Sequence, residues 1–223
     1  MIDLHTHTVF SDGELIPFEL AMRAVAKGYT VLGISDHVDV SNLEFVVPGI
    51  VRAAEELTKS GKIIVLAGVE LTYVMPALTA KMVKQARKIG AQYVVVHGET
   101  LAEPVPAGIN RAAVEAGVDI LAHPGLITEE EARLAAEHNV CLEITARKGH
   151  SISNGHVAKI AREAGAALVF NTDSHGPGDL VTVEQARKIS RGAGMTEPEI
   201  KKMFQNSADL VKRLAGKKQN RKG

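Results

Sequence analysis

Seven short apolar runs, rich in β-branched side chains, recur at residues 2–4, 31–35, 63–69, 93–96, 120–122, 140–144 and 167–171. They do not alternate with polar positions, so both faces of each run are buried, as in parallel strands. Amphipathic stretches of helical period lie between them. Pro17 opens the first at a favoured first-turn position, and Gly28 closes it. The second spans 48–59, and the third spans 75–89 and ends at Gly90. A fourth, 107–116, precedes Gly117, while Thr128 and Glu131 form a capping-box start for a helix through Glu137. Stretches 154–164 and 183–191 end at Gly165 and Gly192, and Thr196 with Glu199 caps a last helix running to about Leu214.

Strands alternating with helices at about thirty-residue spacing predict a parallel α/β architecture. No linker or low-complexity segment divides the 223 residues, so one domain is expected. Periodicity alone does not separate a closed barrel from an open doubly wound sheet. The polar residues do, because one or more follows every strand. An open sheet gathers its site at one switch point, whereas a barrel collects loops from all strands at one face. The expected fold is therefore a barrel.

Composition narrows the picture. Hydrophobic residues make up 45% of the chain but aromatics only 4%, so aliphatic side chains fill the core. Lys+Arg and Asp+Glu balance at 26 each, which gives no bias toward nucleic acid or membrane. The exception is 216–223, a basic stretch without apolar side chains, read as a solvated tail. Cys141 is the single cysteine, placed between Val140 and Leu142 as a buried small hydrophobe. With no intrachain disulfide possible, a cytoplasmic setting is expected. No apolar stretch is long enough to span a membrane, and the acidic Asp3 argues against an ordinary signal peptide.

Six of the nine histidines stand at or near strand ends, usually beside a carboxylate: His5, His7, His37, His97, His123 and His175. Asp12, Glu70 and Asp173 complete the pattern. In an extended strand, residues i and i+2 face the same way, so His5 pairs with His7 and Asp173 with His175. Two imidazoles within about 7 Å of each other can share one divalent ion. Imidazole and carboxylate suit zinc, iron or manganese, and the lack of thiolates argues against a closed structural zinc site. Nine candidate ligands exceed the needs of one ion and imply two or three.

Other residues carry less weight. Asp3 and Asp36 adjoin ligands and are candidates to orient imidazoles, with an N-terminal or loop carboxylate making backbone hydrogen bonds as the equal alternative. Glu99 and Glu143 lie near the same rim. Arg147, Lys148 and His150, just after the sixth strand, form the best phosphate grip, with a solvated basic loop as the alternative. His138 and His156 are read as ordinary surface residues.

The motifs in series are Asp3-Leu4-His5-Thr6-His7, Ser11-Asp12-Gly13, Ser35-Asp36-His37, Gly68-Val69-Glu70, His97, His123-Pro124 and Asn171-Thr172-Asp173-Ser174-His175. Together they resemble the PHP (polymerase and histidinol phosphatase) family over nearly the whole chain. Asn206-Ser207-Ala208-Asp209-Leu210 is similar to the family's closing stretch, with Ser207 in place of proline. The resemblance implies a distorted (β/α)7 TIM-like barrel over 1–215 and a trinuclear metal centre. Carried over, His5, His7, Glu70 and Asp173 hold the first ion, and Asp12, His37 and His175 hold the second. A bridging Glu70 shares the third with His97 and His123. Some relatives have histidine at the position of Asp12, which leaves the second ion's identity open.

The expected chemistry is hydrolysis of small phosphate monoesters, of histidinol phosphate or nucleotide type, by a metal-activated hydroxide. Glu70, Asp173 and His175 stand at its centre. No Gly-x-Ser-x-Gly elbow or Walker loop competes. One alternative is a nuclease or phosphodiesterase, for which the neutral charge and few aromatics offer little support. A non-catalytic barrel would show eroded ligands, and an amidohydrolase would want a bridging lysine after a middle strand.

Overall fold

The computed structural model describes residues 1–219. Eight parallel strands form its sheet: β1 (Ile2–Asp3), β2 (Val31–Ile34), β3 (His37–Val38), β4 (Ile64–Leu71), β5 (Tyr93–His97), β6 (Ile120–Ala122), β7 (Cys141–Thr145) and β8 (Leu168–Asn171). The pairing order is β1-β2-β4-β5-β6-β7-β8, with β3 continuing the line of β2 against β4 through the pair His37↔Glu70. Counting β2 and β3 as one interrupted strand gives the seven strands of a nearly closed barrel. The seam between β1 and β8 is bridged by Thr6↔Ser174, by His7 N–H donating to Ser174 O (2.8 Å) and by Leu4 N–H donating to Asn171 Oδ1 (2.8 Å). The distorted TIM-like barrel expected from the sequence is thus the observed fold.

Helices α1 (Pro17–Ala26), α2 (Leu43–Lys59), α3 (Pro76–Ile89), α4 (Ile109–Glu115), α5 (Glu129–His138), α6 (Asn154–Ala164) and α7 (Val183–Gly192) pack around the strands. Helix α2 starts earlier than its sequence pattern suggests and carries Pro48 in its interior. Proline removes one backbone donor and crowds the preceding turn. Burial of Leu43, Val46, Val47 and Ile50 along one face keeps the helix continuous through it. The last helix, α8 (Glu197–Gln219), also runs beyond Leu214. Part of the basic stretch read as a tail is therefore helical, and 220–223 lie outside the described residues.

Apolar side chains occupy two layers. One lies between strands and helices, and the other fills the barrel with Leu4, Val31, Leu66, Tyr93, Val95, Ile120, Cys141 and Val169. Leu210 and Leu214 of α8 close the floor of this inner core. Tyr93 is its largest member, and two glycines make room for it. A Cβ on Gly68 would lie 2.2 Å from the Tyr93 ring, and one on Gly33 would lie 2.1 Å from its Oη. With the lower barrel filled and floored, polar residues can converge only at the opposite, C-terminal rim.

Candidate metal centre

Every ligand candidate stands at the C-terminal end of a strand or in the loop that follows. His5 and His7 follow β1, His37 opens β3, Glu70 lies near the end of β4, and His97 ends β5. His123 follows β6, while Asp173 and His175 follow β8. Two of these residues adopt backbone conformations that L side chains rarely take: His123 (φ 27°) and Asp173 (φ 51°). Such strain costs on the order of 1–3 kcal/mol per residue and gathers at functional sites.

At the bottom of the site four atoms form a closed ring. His5 Nε2 lies 3.2 Å from Glu70 Oε2 and 3.7 Å from Asp173 Oδ1. His7 Nε2 lies 3.6 Å and 3.2 Å from the same two oxygens. All four atoms are buried and none has a hydrogen-bond partner. His5, His7 and Glu70 bring ligating atoms within 4.8 Å of one another, as do His5, His123 and Asp173, and these imidazole and carboxylate donors suit a divalent metal.

Two more clusters flank the ring. Asp12, at the exposed rim, lies 3.4 Å from His37 Nε2 and 3.3 Å from His175 Nε2. His7 is sandwiched between these two imidazoles, 4.1 Å from each ring centre. On the other side His97, His123 and His150 bring ligating nitrogens within 4.8 Å of one another. Glu70 connects the regions, with Oε1 3.6 Å from His123 Nε2 and Oε2 2.7 Å from His37 Nδ1. His37 Nδ1 lines up instead with Thr72 Oγ1 at 2.6 Å.

The imidazoles share one device. In five of them Nδ1 is paired with a neighbour: Glu143 Oε1 for His5 (2.8 Å), Thr72 Oγ1 for His37, Gly98 O for His97 (3.2 Å), Thr100 Oγ1 for His150 (2.6 Å) and Asp173 O for His175 (3.0 Å). Such outer partners hold a ring in orientation and leave Nε2 to face an ion. Burial disfavours the His5 cation, yet Glu143, Glu70 and Asp173 hold it well above its ordinary pKa. Burial and the neighbouring His37 hold His7 well below, and burial with His97 does the same for His123. Glu70 resists burial because His5 and His37 hold its carboxyl well below the usual range, while burial pushes Asp173 up to about 7.

The structure brings all nine sequence-derived ligand candidates into one basin but redistributes the supporting residues. Asp3 accepts hydrogen bonds from the backbone of His5 and Thr172 and from Thr172 Oγ1. Asp36 accepts from Thr8 and Ser11, so of the two roles open to these carboxylates both take the one that braces loops rather than the one that orients an imidazole. The carboxylate that does orient an imidazole is Glu143, buried beneath His5 and also bonded to Asn171 Nδ2 (2.8 Å). Glu99 serves α4, accepting from Gly108 and Asn110 backbone donors. Arg147 lines the cleft and is steadied by Asp179 (3.3 Å), whereas Lys148 is exposed and does not line it. His150 is buried among the ligand imidazoles, stacked on His123 at 4.1 Å. Its expected place was a phosphate-gripping loop. Glu103, unremarked in the sequence because it ends no apolar run, reaches His97 Nε2 at 3.1 Å.

The rim opens into a cleft of about 370 Å³, lined by Asp12, His37, Tyr73, His97, Glu103 and Arg147 among others. A family model for the PHP domain matches residues 3–142, and the chain belongs to that family. It is 47% identical to "uncharacterized protein MJ1295" of Methanocaldococcus jannaschii, over 95% of this chain and 99% of that one. It is 27% identical to a "probable phosphatase" of Shewanella frigidimarina, covering 87% of this chain and 85% of the relative. Among solved structures it is similar to histidinol phosphate phosphatase of Lactococcus lactis, a complex with zinc, L-histidinol and phosphate. The TM-score is 0.62 at 17% identity, over 87% of this chain and 94% of the other. It is also similar to a chain in an archaeal ribonuclease P structure with mature tRNA, with TM-score 0.71 and 19% identity over 95% and 90%. Among the described residues no helix is long and apolar enough to cross a membrane.

Proposed function

We propose that this chain is a metal-dependent phosphoesterase that hydrolyses phosphate monoesters of small molecules, of the histidinol phosphate or nucleotide type. The observation that carries the reading is the ring of four buried, unpartnered donor atoms from His5, His7, Glu70 and Asp173, within which His5, His7 and Glu70 bring ligating atoms within 4.8 Å of one another. His5, His7, Glu70 and Asp173 hold a first ion; Asp12, His37 and His175 hold a second; His97, His123 and the shared Glu70 hold a third. Zinc, manganese and iron all suit these donors. When bound, such ions supply activation of water near neutral pH and neutralisation of charge on phosphoryl oxygens.

The chain's own residues do the rest. Glu70 joins the three clusters and fixes their relative positions. Asp173 and His175 face the cleft, where a phosphoryl group would enter. Arg147, steadied by Asp179, presents its guanidinium to that group. A filled barrel below leaves the ester a single direction of approach. The lone buried cysteine suits a reducing, cytoplasmic setting.

A phosphodiesterase acting on nucleic acid is the second reading, favoured by the likeness to the ribonuclease P chain. The cleft speaks against it, because Asp12, Asp39 and Glu103 line it beside Arg147 and would repel a polyanion. The test compares p-nitrophenyl phosphate, bis-p-nitrophenyl phosphate and a short oligonucleotide with manganese or zinc. Monoester hydrolysis lost in His7→Ala and Glu70→Ala is expected. Activity confined to the diester and oligonucleotide would favour the second reading, and activity unchanged in both variants would defeat the first.

A further inference from the structure

His150 stands in a loop whose Arg-Lys-Gly-His composition reads as a phosphate grip, but its side chain does something else. Gly149, at φ 86°, turns the backbone as a non-glycine residue rarely would, and a short 3-10 turn, His150–Ser153, follows. The imidazole is thereby folded inward to 5% exposure. Its Nδ1 is paired with Thr100 Oγ1, the same device that orients His5, His37, His97 and His175. Its ring stacks on His123 and meets His97 edge-on at 5.7 Å. Glu103 spans the gap, with Oε2 3.1 Å from His97 Nε2 and Oε1 3.7 Å from His150 Nε2. Tyr73 Oη donates to Glu103 Oε2 at 2.8 Å and steadies it.

We propose that His150 is itself a metal ligand, forming with His97 and His123 a three-imidazole site that Glu103 closes from the cleft side. This deepens the metal-centre reading and rests on it. The consequence is a difference between ends of the centre. The His5–His7–Glu70–Asp173 ring mixes nitrogen and oxygen donors and accepts manganese or zinc, whereas three imidazoles favour zinc over manganese. The grip on phosphate then falls to Arg147 rather than to a pair of residues in this loop.

The experiment counts metal and does not depend on turnover. Chelated full-length protein is dialysed against zinc, the bound ions are counted by plasma mass spectrometry, and their affinities are measured by competition with a chromophoric chelator. His150→Ala, the bulkier His150→Gln and Glu103→Gln are compared with wild type and with Arg147→Ala, with circular dichroism as the check on folding. The expected result is that both His150 variants lose one ion per chain, that Glu103→Gln weakens the same ion, and that Arg147→Ala keeps the full complement. Thr100→Val, which leaves His150 in place and removes its Nδ1 partner, should weaken that ion by about 10–100-fold. His150 variants that retain the wild-type number of ions with unchanged affinity would overturn the proposal. A wild-type protein that binds no zinc would instead overturn the metal-centre reading beneath it.

Discussion

Adding a divalent ion to chelated protein should raise its melting temperature by several degrees, and the structure sets the scale. His5 Nε2, His7 Nε2, Glu70 Oε2 and Asp173 Oδ1 are buried without hydrogen-bond partners. An unsatisfied buried polar atom costs about 1–3 kcal/mol, so four of them carry a burden comparable to the roughly 5–15 kcal/mol of a whole domain's stability. An ion present at about 100 times its dissociation constant stabilises the folded state by about 2.7 kcal/mol. For a chain of 223 residues, each kcal/mol moves the midpoint by about 2–4 °C, giving a rise of about 5–11 °C. The assay is differential scanning calorimetry of chelator-treated protein titrated with zinc or manganese. His7→Ala should abolish most of the rise, while His138→Ala, at an exposed helix end, should leave it intact. A midpoint that stays put across micromolar to millimolar metal, in protein that circular dichroism shows to be folded, would refute the reasoning.

Three further outcomes follow from the scaffold. Gly68→Ala places a methyl group 2.2 Å from the Tyr93 ring and should destabilise by about 1–3 kcal/mol in urea unfolding, with partial recovery when Tyr93→Leu is added. Leu214→Ala opens the floor of the barrel, where Leu214 is 1% exposed, and should cost about 2–5 kcal/mol by the same measurement. Glu199 pairs with Arg162 and accepts from the Thr196 hydroxyl and N–H; these contacts, Arg162 foremost, hold its carboxyl down to about 2. A carboxylate whose folded pKa is depressed contributes stability above its unfolded value, and loses it as pH falls through the folded one. The stability difference between wild type and Glu199→Gln should therefore be full near neutrality and shrink from about pH 4 down to about 2, which acid titrations of both proteins would show.

The alternation of buried strands with amphipathic helices is a local property, written in the period of apolar residues and in residues such as Pro17, Gly28 and Thr128. It was therefore legible without coordinates, as was the rim position of His5, His7, His37, Glu70, His97, His123, Asp173 and His175, because each stands at or near the end of an apolar run. What the chain could not disclose locally was direction. Glu143, in β7, can be placed near the rim from the sequence, but that it stands 2.8 Å from His5 Nδ1 rather than beside another residue appears only when the barrel closes. Glu103 and Thr100 belong to an irregular loop with no period to read, and only the folded loop carries them to His97 and His150. Lys148 and His150 are two residues apart, yet one faces solvent and the other the metal basin, because the turn at Gly149 breaks the regular alternation that sequence reasoning relies on. Periodicity specifies which residues share a face of an element. Which faces meet, and which nitrogen of a ring looks inward, depends on contacts between residues far apart in the chain, and those exist only once the barrel has formed.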